Sequence, residues 1–460
     1  LCGLRLVHTH LKHEPLSDDD LTDLALLRLD LVAAIEVADD GLPGTVSQAH
    51  LLPRNKAEKS WEILPPVRVH DIADDFQNLI DALEEEFTRL RAQRPTGDNR
   101  DRAILVHVSQ EPHAVAEESL SELRELCRSA GVQDVYQVIQ RRPDDPKYVM
   151  GRGRLQDTVI KAMQLGAEAL VFDLNLSPAQ VKNLSSFTDL KILDRTQVIL
   201  DIFAQRAQTR EGKIQVELAQ LRYMLPRLGA KQAASAFSRL TGGIGGRGPG
   251  ETKLEIDRRR AQDRIAQLER EINKLGQRRR LRRHRRGQND VPVVSIVGYT
   301  NAGKSTLLNS LTNSDVTAKD VLFATLNPVS RRLRFPEERE IIITDTVGFI
   351  RNLPQDLRAA FRTTLEELDE ADLLLHVLDA ADPRYNDHLE TVRQMLADLE
   401  LQKKPCLLVL NKADQCEAAE LDGLRRRLNG IPLSALDRST FGLLLGEIEE
   451  ALWTAQSASQ

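Results

Sequence analysis

The chain has 460 residues, which is too long for one hydrophobic core and predicts about three domains. Its four cysteines, Cys2, Cys127, Cys406 and Cys416, include no CxxC pair, which argues against a disulfide framework or a cysteine-zinc site and favours reduced thiols. No apolar run reaches membrane-spanning length, because the longest candidate, Leu24 to Ala38, contains three charged residues.

Charge is distributed unevenly along the chain. The formal net charge is -6, yet residues 205–286 hold 22 Lys and Arg against 8 Asp and Glu. This segregation predicts a polyanion-facing segment on an otherwise acidic, soluble protein, with a solvated basic linker as the alternative. The first residue is Leu1 rather than methionine, so we expect a fragment, and a targeting peptide upstream is left open.

The opening segment carries His8-Thr9-His10, followed by Ser17 and Asp20. This pattern resembles the HxH…SxxD signature of the JAMM metalloprotease-like fold, which implies two histidines and an aspartate as zinc ligands and a serine that steadies bound water. Imidazole and carboxylate groups suit a catalytic zinc. The spacer between His10 and Ser17 is one residue shorter than in the signature, and no upstream glutamate precedes it. We therefore expect a degenerate, structural use of this fold, with a regulated zinc hydrolase as an alternative.

An amphipathic pattern from Val69 to Arg91 predicts a helix, and the run Arg94-Pro95-Thr96-Gly97-Asp98 predicts a domain boundary. Strand and helix patterns then alternate, which predicts a second small α/β domain with a parallel sheet. Its strands are predicted at Ile104–Val108, Asp134–Ile139, Ala169–Phe172 and Lys191–Leu193, and its helices at Leu120–Cys127 and Leu155–Leu165. The stretch Met150-Gly151-Arg152-Gly153-Arg154 has groups that can touch phosphate, but a plain turn is favoured, and a second adenine-nucleotide site is left open.

The basic segment carries two heptad-like apolar seams, which should pack as an antiparallel helical hairpin. The seams are Leu218, Leu221, Leu225 and Leu228, then Leu254, Ala261, Ile265, Leu268, Ile272 and Leu275. Pro226 should kink or end the first helix. The connection from Thr241 to Glu251 is rich in glycine, so we expect a mobile tip with bare backbone. Such an arm suits structured RNA, with a disordered linker as the alternative. The candidate RNA-binding residues are Arg247, Arg258, Arg259, Arg279 and Arg280.

The most specific pattern is the run Gly298-Tyr299-Thr300-Asn301-Ala302-Gly303-Lys304-Ser305-Thr306, which fits the phosphate-binding loop GxxxxGK[ST]. It follows the β-branched run 293–297 and precedes an apolar helical pattern, which is the context that the motif needs. We expect loop N–H groups to face the α- and β-phosphates, Lys304 to reach the β- and γ-phosphates, and Ser305 to bind Mg2+. The alternative is a Gly-rich turn between a strand and a helix.

Three later patterns also follow apolar runs, as ligand sites at the carboxyl edge of an open α/β sheet should. In Asp345-Thr346-Val347-Gly348, the aspartate is expected to hold Mg2+ through water and the Gly348 N–H to bind the γ-phosphate. In Asn411-Lys412-Ala413-Asp414, the last carboxylate can accept two hydrogen bonds from the guanine N1 and N2 edge, which adenine lacks. Ser434-Ala435-Leu436 is expected to close over the base. This set resembles the GTPase motifs of the translation-factor-related class.

The segment Leu322–Pro328 lies between the first two patterns. By resemblance, Thr325 is the switch threonine that completes the Mg2+ shell, with an ordinary surface threonine as the alternative. Phe349 stands where Ras-like enzymes carry a water-orienting glutamine, and a phenyl ring cannot hydrogen-bond water. Intrinsic hydrolysis should therefore be slow, with catalytic roles for Lys304, Thr325 and Gly348 and with the water placed by another group or a partner.

The predicted ligand-binding residues form two sets. The Mg2+ ligands are Ser305 and Thr325, with Asp345 acting through water. The GTP-binding residues are Gly298, Tyr299, Thr300, Asn301, Ala302, Gly303, Lys304, Ser305, Thr306, Phe323, Ala324, Thr325, Leu326, Asn327, Asp345, Thr346, Val347, Gly348, Asn411, Lys412, Ala413, Asp414, Ser434, Ala435 and Leu436.

Several segments between residues 102 and 453 together resemble the HflX family of GTPases. They are Leu176–Gln180, Asp194–Thr196, Ile202–Ala207, Gln215–Leu221, Gly242–Gly245, Arg247–Thr252, Asp257–Arg259 and the phosphate loop. The chain departs from the family pattern at Asn327–Ser330, where an acidic residue and threonines are common, and in having only a polar tail after the GTPase motifs.

The resemblance implies a GTPase, slow alone and stimulated by ribosomes, that binds the large ribosomal subunit and its rRNA and splits stalled or idle ribosomes. GTP, GDP and Mg2+ are the expected ligands, with no DNA partner, no stable membrane insertion and a monomeric free state. A cytoplasmic location is expected, with peripheral association at membranes left open. The alternatives are a general RNA chaperone or helicase, or a GTP-regulated zinc hydrolase that acts through the N-terminal segment.

The expected fold class is a multidomain α/β protein, in which a small α/β domain and a helical hairpin precede a P-loop GTPase domain with a parallel sheet. The expected domains are an N-terminal α/β segment (1–96), an HflX-type α/β domain (97–205), a basic hairpin with a Gly-rich tip (206–289), the GTPase domain (290–454) and a polar tail (455–460).

Overall fold

The computed structural model describes residues 3–11, 14–53, 59–72, 76–92, 101–228, 253–286, 291–312, 322–323, 329–335, 339–346, 348–351 and 366–454. The chain divides into two compact units, one ending at Arg195 and the other beginning at Thr196. Over the described ranges, the first unit contains two four-stranded sheets and the second contains one six-stranded sheet. The prediction of a multidomain α/β protein with a parallel-sheet GTPase domain is confirmed.

The N-terminal sheet belongs to the first unit. Its four strands lie in chain order, with the first pair parallel and the other pairs antiparallel. The elements are β1 (Arg5–His10), α1 (Asp18–Leu26), β2 (Leu31–Val37), β3 (Pro43–Leu51), β4 (Trp61–Arg68) and α2 (Phe76–Ala92). Helix α1 begins at a capping box and buries Leu21, Leu24 and Ala25 in the core of this sheet. Helix α2 starts later than predicted, because Val69–Asp71 forms a short 3-10 turn.

The second sheet has the strand order β6-β5-β7-β8, and all of its strands are parallel. The elements are β5 (Asp101–Ser109), α3 (His113–Ser129), β6 (Val132–Arg141), α4 (Arg152–Leu165), β7 (Ala169–Phe172), α5 (Pro178–Phe187) and β8 (Lys191–Asp194). The predicted strands and helices are confirmed, and α5 is an addition. Its start was visible in the sequence, because Ser177 and Gln180 form a capping box around a proline at the first turn.

Helix α6 (Arg195–Arg206) begins with a buried arginine. Arg195 donates to Asp173 Oδ1 at 2.8 Å and also bonds the carboxylate of Glu122. The other oxygen of Asp173 lies 2.9 Å from Nδ1 of His107. A buried cation is tolerated when its charge is paired and its donors are bonded, so Arg195 is held within the first unit by this network.

Two helices of the second unit form the predicted hairpin pair, α7 (Arg210–Met224) and α8 (Lys253–Arg286). They pack through Ile214, Leu218, Leu221, Leu228, Ala261, Ile265, Leu268, Ile272 and Leu275. Helix α7 ends before Pro226, where a 3-10 turn follows, as the proline predicted. Leu254 was wrongly included in the seam, because it is exposed at the start of α8. The glycine-rich connection lies outside the described residues.

The six-stranded sheet has the order β10-β11-β9-β12-β13-β14 and is parallel except for the edge strand β10. Its elements are β9 (Val293–Gly298), α9 (Lys304–Thr312), β10 (Val329–Arg334), β11 (Glu340–Asp345), β12 (Leu373–Asp379), α10 (Tyr385–Asp398), β13 (Cys406–Asn411), α11 (Ala418–Leu428), β14 (Ile431–Pro432) and α12 (Gly442–Glu449). The parallel strands end at one edge, where the predicted nucleotide motifs begin. Among the described helices, none has the length and apolarity needed to cross a membrane.

Candidate nucleotide site

The phosphate loop joins β9 to α9, and its two end glycines occupy positions that a side chain would not fit. Gly298 has φ +155°, and a Cβ atom there would lie 2.3 Å from the carbonyl oxygen of Val377 on β12. Gly303 has φ +91°, and its Cβ would lie 2.2 Å from Nδ2 of Asn411 on β13. The loop is therefore packed against both neighbouring strands, which requires glycine at these two positions.

Lys304 is buried at the start of α9, and its Nζ donates to the carbonyl oxygen of Tyr299 at 2.7 Å. Burial lowers the pKa of Lys304 to about 8, although the charge of Asp345 opposes the shift. The Tyr299 ring is held in turn by stacking on His388 of α10, with ring centroids 3.8 Å apart. The lysine is thus enclosed by its own loop, and its ammonium group bonds the loop backbone around which the phosphates are expected.

The predicted Mg2+ donors lie together. Ser305 Oγ donates to Oδ2 of Asp345 at 2.6 Å, and Asp345 is fully buried at the end of β11. A hydroxyl and a carboxylate oxygen are hard donors of the kind that Mg2+ takes. The donor set therefore fits Mg2+. The third predicted ligand, Thr325, lies outside the described residues.

The segment after β11 is bonded directly to the phosphate loop. Phe349 N donates to the Gly298 carbonyl at 3.0 Å, and Thr300 N donates to the Phe349 carbonyl at 2.8 Å. Thr346 Oγ1 donates to the carbonyl of Ile296 at 2.6 Å, which anchors the motif to β9. The Phe349 side chain is buried. The phenyl ring is thus a packing group. Val347 lies outside the described residues.

Gly348 lies at the closest approach between this segment and the loop. A Cβ atom there would be 2.9 Å from Lys304 Nζ and 2.9 Å from Thr300 Cγ2. A side chain at this position would therefore displace Lys304 or Thr300. The position agrees with the predicted role of Gly348 at the γ-phosphate, which stays a prediction.

Asn411 connects three of the sequence motifs. Its Nδ2 donates to the carbonyl of Ala302 at 2.8 Å, and its Oδ1 accepts from the N–H of Ala435 at 2.9 Å. The next residue, Lys412, is in the left-handed region at φ +61° and its Nζ lies 2.6 Å from Oδ2 of Asp379. Asp414 follows in a 3-10 turn. The asparagine acts as a brace for the loops that should surround the base, a role that the sequence did not assign.

The segment before Thr325 is anchored to α6. Phe323 is buried with φ +56° and packs edge-on against Phe203, with centroids 4.7 Å apart. Arg206 Nη1 donates to the carbonyl of Leu322 at 2.8 Å. A non-glycine residue held at positive φ is typical of switch segments. Sequence reasoning missed this contact, although residues three apart on a helix share a face. The predicted ligands Ala324, Leu326 and Asn327 lie outside the described residues.

The predicted RNA-binding residues are only partly described. Arg258 and Arg259 are exposed near the start of α8. Arg279 and Arg280 lie within the helical span of α8, but their side chains and the whole of Arg247 are outside the described part of the chain. Arg264 makes a two-bond ion pair with Glu217 of α7 at 2.6 and 2.9 Å.

Three family profiles match this chain in succession. "GTP-binding GTPase N-terminal" matches residues 117–204, "GTP-binding GTPase Middle Region" matches residues 206–286, and "50S ribosome-binding GTPase" matches residues 293–412. The first match ends at α6, the second covers the helical pair, and the third covers the sheet that carries the nucleotide motifs.

Curated relatives named GTPase HflX are similar to most of the chain. The one from Caldanaerobacter subterraneus is 45% identical over 356 residues, which covers 77% of this chain and 81% of the relative. The one from Escherichia coli is 46% identical over 327 residues, covering 70% of this chain and 75% of the relative. Among solved structures, a GTP-binding protein from Sulfolobus solfataricus in complex with GDP is 25% identical, covering 77% of this chain and 99% of that chain with a TM-score of 0.42.

Proposed function

The chain belongs to the HflX family of GTPases, and from that premise we propose that its GTPase cycle controls binding to the large ribosomal subunit and the splitting of stalled or idle ribosomes. One observation carries the proposal: the nucleotide site and the basic helical pair belong to the same compact unit, which includes the contact between α6 and the segment before Thr325. The match to a profile described as a 50S ribosome-binding GTPase supports the choice of partner.

Hydrolysis requires that charge on the transferred phosphoryl group be stabilised. Lys304 would turn from the Tyr299 carbonyl to the β- and γ-phosphates, and the Gly348 N–H would bind the γ-phosphate. Ser305 and, through water, Asp345 would hold Mg2+, which supplies positive charge at the phosphate oxygens. Phe349, the residue after Gly348, cannot orient the attacking water, because its side chain is apolar and buried. A ribosomal group or a rearranged switch would supply that function, which makes slow intrinsic turnover the expected behaviour.

The contact between α6 and Leu322–Phe323 would couple the nucleotide state to the position of the helical hairpin α7–α8. When GTP is bound, Thr325 would be drawn toward Mg2+, and the chain just before it would move or stiffen. Arg206 and Phe203 would transmit this change, because they hold the neighbouring residues Leu322 and Phe323. Helix α7 begins four residues beyond Arg206, so a small rotation of α6 would reorient the hairpin.

The arm would engage rRNA mainly through phosphate contacts. Arg258 and Arg259 are exposed on α8, and Arg264 makes an ion pair with Glu217 of α7. Electrostatic binding of this kind releases counterions, so affinity should fall steeply with salt. Arg247, Arg279 and Arg280 are further proposed contacts of the same segment.

The test measures co-sedimentation of the chain with purified large subunits in GTP, GDP and a non-hydrolysable GTP analogue, at low and moderate salt. We expect tight binding with the analogue, weak binding with GDP, and loss of the difference in Lys304→Ala. Light scattering of intact ribosomes would then report splitting in the presence of GTP. Equal affinity for the two nucleotide states would refute the coupling, and binding without splitting would refute the splitting function alone.

A general RNA chaperone is the competing function, and the exposed Arg258 and Arg259 of α8 support it equally well. Competition between ribosomes and unrelated duplex RNA separates the two. A strong preference for ribosomes supports the splitting factor, whereas equal affinity supports the chaperone. In the proposed function the free protein is a cytoplasmic monomer, and analytical ultracentrifugation tests its monomeric state.

A further inference from the structure

Three side chains converge at the carboxyl end of β1, remote in sequence from the matched profiles, which begin at residue 117. His8 and His10 are two residues apart on the strand and so share a face, and Asp20 lies in the first turn of α1. The ligand atoms of all three lie within 4.8 Å of one another. We propose that these residues bind a zinc-class divalent cation and leave one coordination position open.

The spacing of the donor atoms suits such an ion. His8 Nε2 is 3.3 Å from Oδ1 of Asp20, and His10 Nε2 is 3.6 Å from Oδ2. Tetrahedral zinc with bonds of about 2.0–2.2 Å requires its ligand atoms to be about 3.3–3.5 Å apart. The two imidazole Nε2 atoms are 2.9 Å apart, so they need to separate by roughly half an ångström. That change is within the reach of small ring rotations.

The tautomer of one imidazole is already set for coordination. His10 Nδ1 lies 2.8 Å from the carbonyl oxygen of Glu14, and a carbonyl only accepts, so this nitrogen carries the proton. The neutral ring must then present the lone pair of Nε2 to the cluster. Hydrogen bonds of this type to the far ring nitrogen are the usual way in which proteins orient metal-binding histidines.

The carboxylate is held in a similar manner. Ser17 donates to Oδ2 of Asp20 from its hydroxyl at 2.7 Å and from its backbone N–H at 2.8 Å. These bonds fix the orientation of the carboxylate and direct Oδ1 toward His8. Because α1 is packed into the sheet core by Leu21 and Leu24, the helix cannot easily withdraw the aspartate from the two histidines.

Access and charge agree with a bound cation. The side chains of His8, His10 and Asp20 are 26%, 16% and 16% exposed, so an ion can enter and a fourth ligand can approach from solvent. Two imidazoles and one carboxylate favour Zn2+ and its neighbours over Mg2+, which takes oxygen ligands. The Mg2+ required for nucleotide binding should therefore not compete. The alternative is a cluster of hydrogen bonds in which the two imidazoles share one proton.

The experiment uses the full chain, stripped with a chelator and dialysed against limiting Zn2+ with excess Mg2+ and GDP. We expect His8→Ala and His10→Ala to bind one equivalent of zinc fewer than the wild type, measured by elemental mass spectrometry. His113→Ala is the matched control, because His113 is an exposed histidine of α3, and it should retain the wild-type content. Co2+ in place of zinc should give the visible absorption of a four-coordinate ion in the wild type and the control only.

A second variant addresses the orientation of the carboxylate. Ser17→Ala keeps the three ligands but removes the hydroxyl that holds Asp20, and it should weaken zinc binding by roughly 10–100-fold. Circular dichroism checks that each variant is folded before its affinity is compared. Equal zinc content in the wild type, His8→Ala and His10→Ala would overturn the proposal. Lys304→Ala should keep the zinc, because Lys304 is not one of the proposed ligands. A negative result in the zinc experiment would therefore not refute the proposed ribosomal function.

Discussion

The buried lysine of the phosphate loop makes nucleotide binding depend on pH in a defined direction. Burial lowers the pKa of Lys304 to about 8, against the opposing charge of Asp345. Phosphate oxygens favour the ammonium, so bound nucleotide must raise this pKa again. Binding should therefore take up a proton wherever the free lysine is neutral, and affinity should fall as pH rises through about 8.

The magnitude follows from the two protonation states. With a pKa of about 8, the free lysine is about nine-tenths protonated at pH 7 and about one-tenth protonated at pH 9. Proton uptake on binding should accordingly rise from about 0.1 to about 0.9, and the affinity for GDP should weaken roughly tenfold over this interval. Nucleotide-free protein should also gain stability between pH 8 and 10.5, because there the unfolded lysine binds the proton that the folded one has lost.

Isothermal titration calorimetry in pairs of buffers with different ionisation enthalpies measures both the affinity and the protons taken up. Groups on the nucleotide also titrate, so Lys304→Arg is the control. Its guanidinium stays charged at both pH values, and although it should bind more weakly, its affinity should lack the additional tenfold decline. The same pH dependence in the arginine variant would refute the assignment to Lys304.

Three further predictions concern other parts of the second unit. Asp414→Ala should weaken GTP binding at least about 100-fold in a fluorescence titration, because two hydrogen bonds to a charged acceptor are lost. The weak affinity for ATP should be unchanged, and an equal loss for both nucleotides would contradict the role of Asp414 at guanine. Arg206→Ala removes the donor to the Leu322 carbonyl, so the GTP preference in ribosome co-sedimentation should shrink while GDP affinity stays constant. Replacing both Arg258 and Arg259 by Ala should lower the slope of log affinity against log salt by about 2 without changing GTP binding, and an unchanged slope would exclude them from the RNA interface.

Much of the nucleotide site was predictable from local sequence patterns. Apolar runs of three to five residues marked β9, β11 and β13, and the motif after each run had to lie at one sheet edge because parallel strands share a direction. The glycines at 298 and 303 were placed by the motif, and the structure adds the reason, since each faces the chain of a neighbouring strand. Asn411 was recognised only as part of a guanine motif, because its bonds to Ala302 and Ala435 join loops distant in sequence.

Errors and omissions also have physical causes. Leu254 fits the heptad register of α8 but is exposed. Periodicity identifies the apolar face of a helix, but it does not show how far along that face the partner helix extends. Helix α5 was not predicted, although its capping box and the proline in its first turn are local signals that the sequence contains. The contact of Phe203 and Arg206 with Leu322–Phe323 has no local signal of its own, since each side could equally face solvent until the chain is folded.

The sequence by itself determined the strands of the second sheet, the phosphate-binding and guanine motifs, and the family, because these depend on short-range periodicity and on contiguous residues. Only the tertiary structure decided which distant groups meet: the enclosure of Lys304, the brace at Asn411, the anchoring of the switch segment on α6, and the convergence of His8 and His10 with Asp20. Such contacts arise from the packing of whole elements, and the distances between their side chains are set by backbones that no local pattern describes.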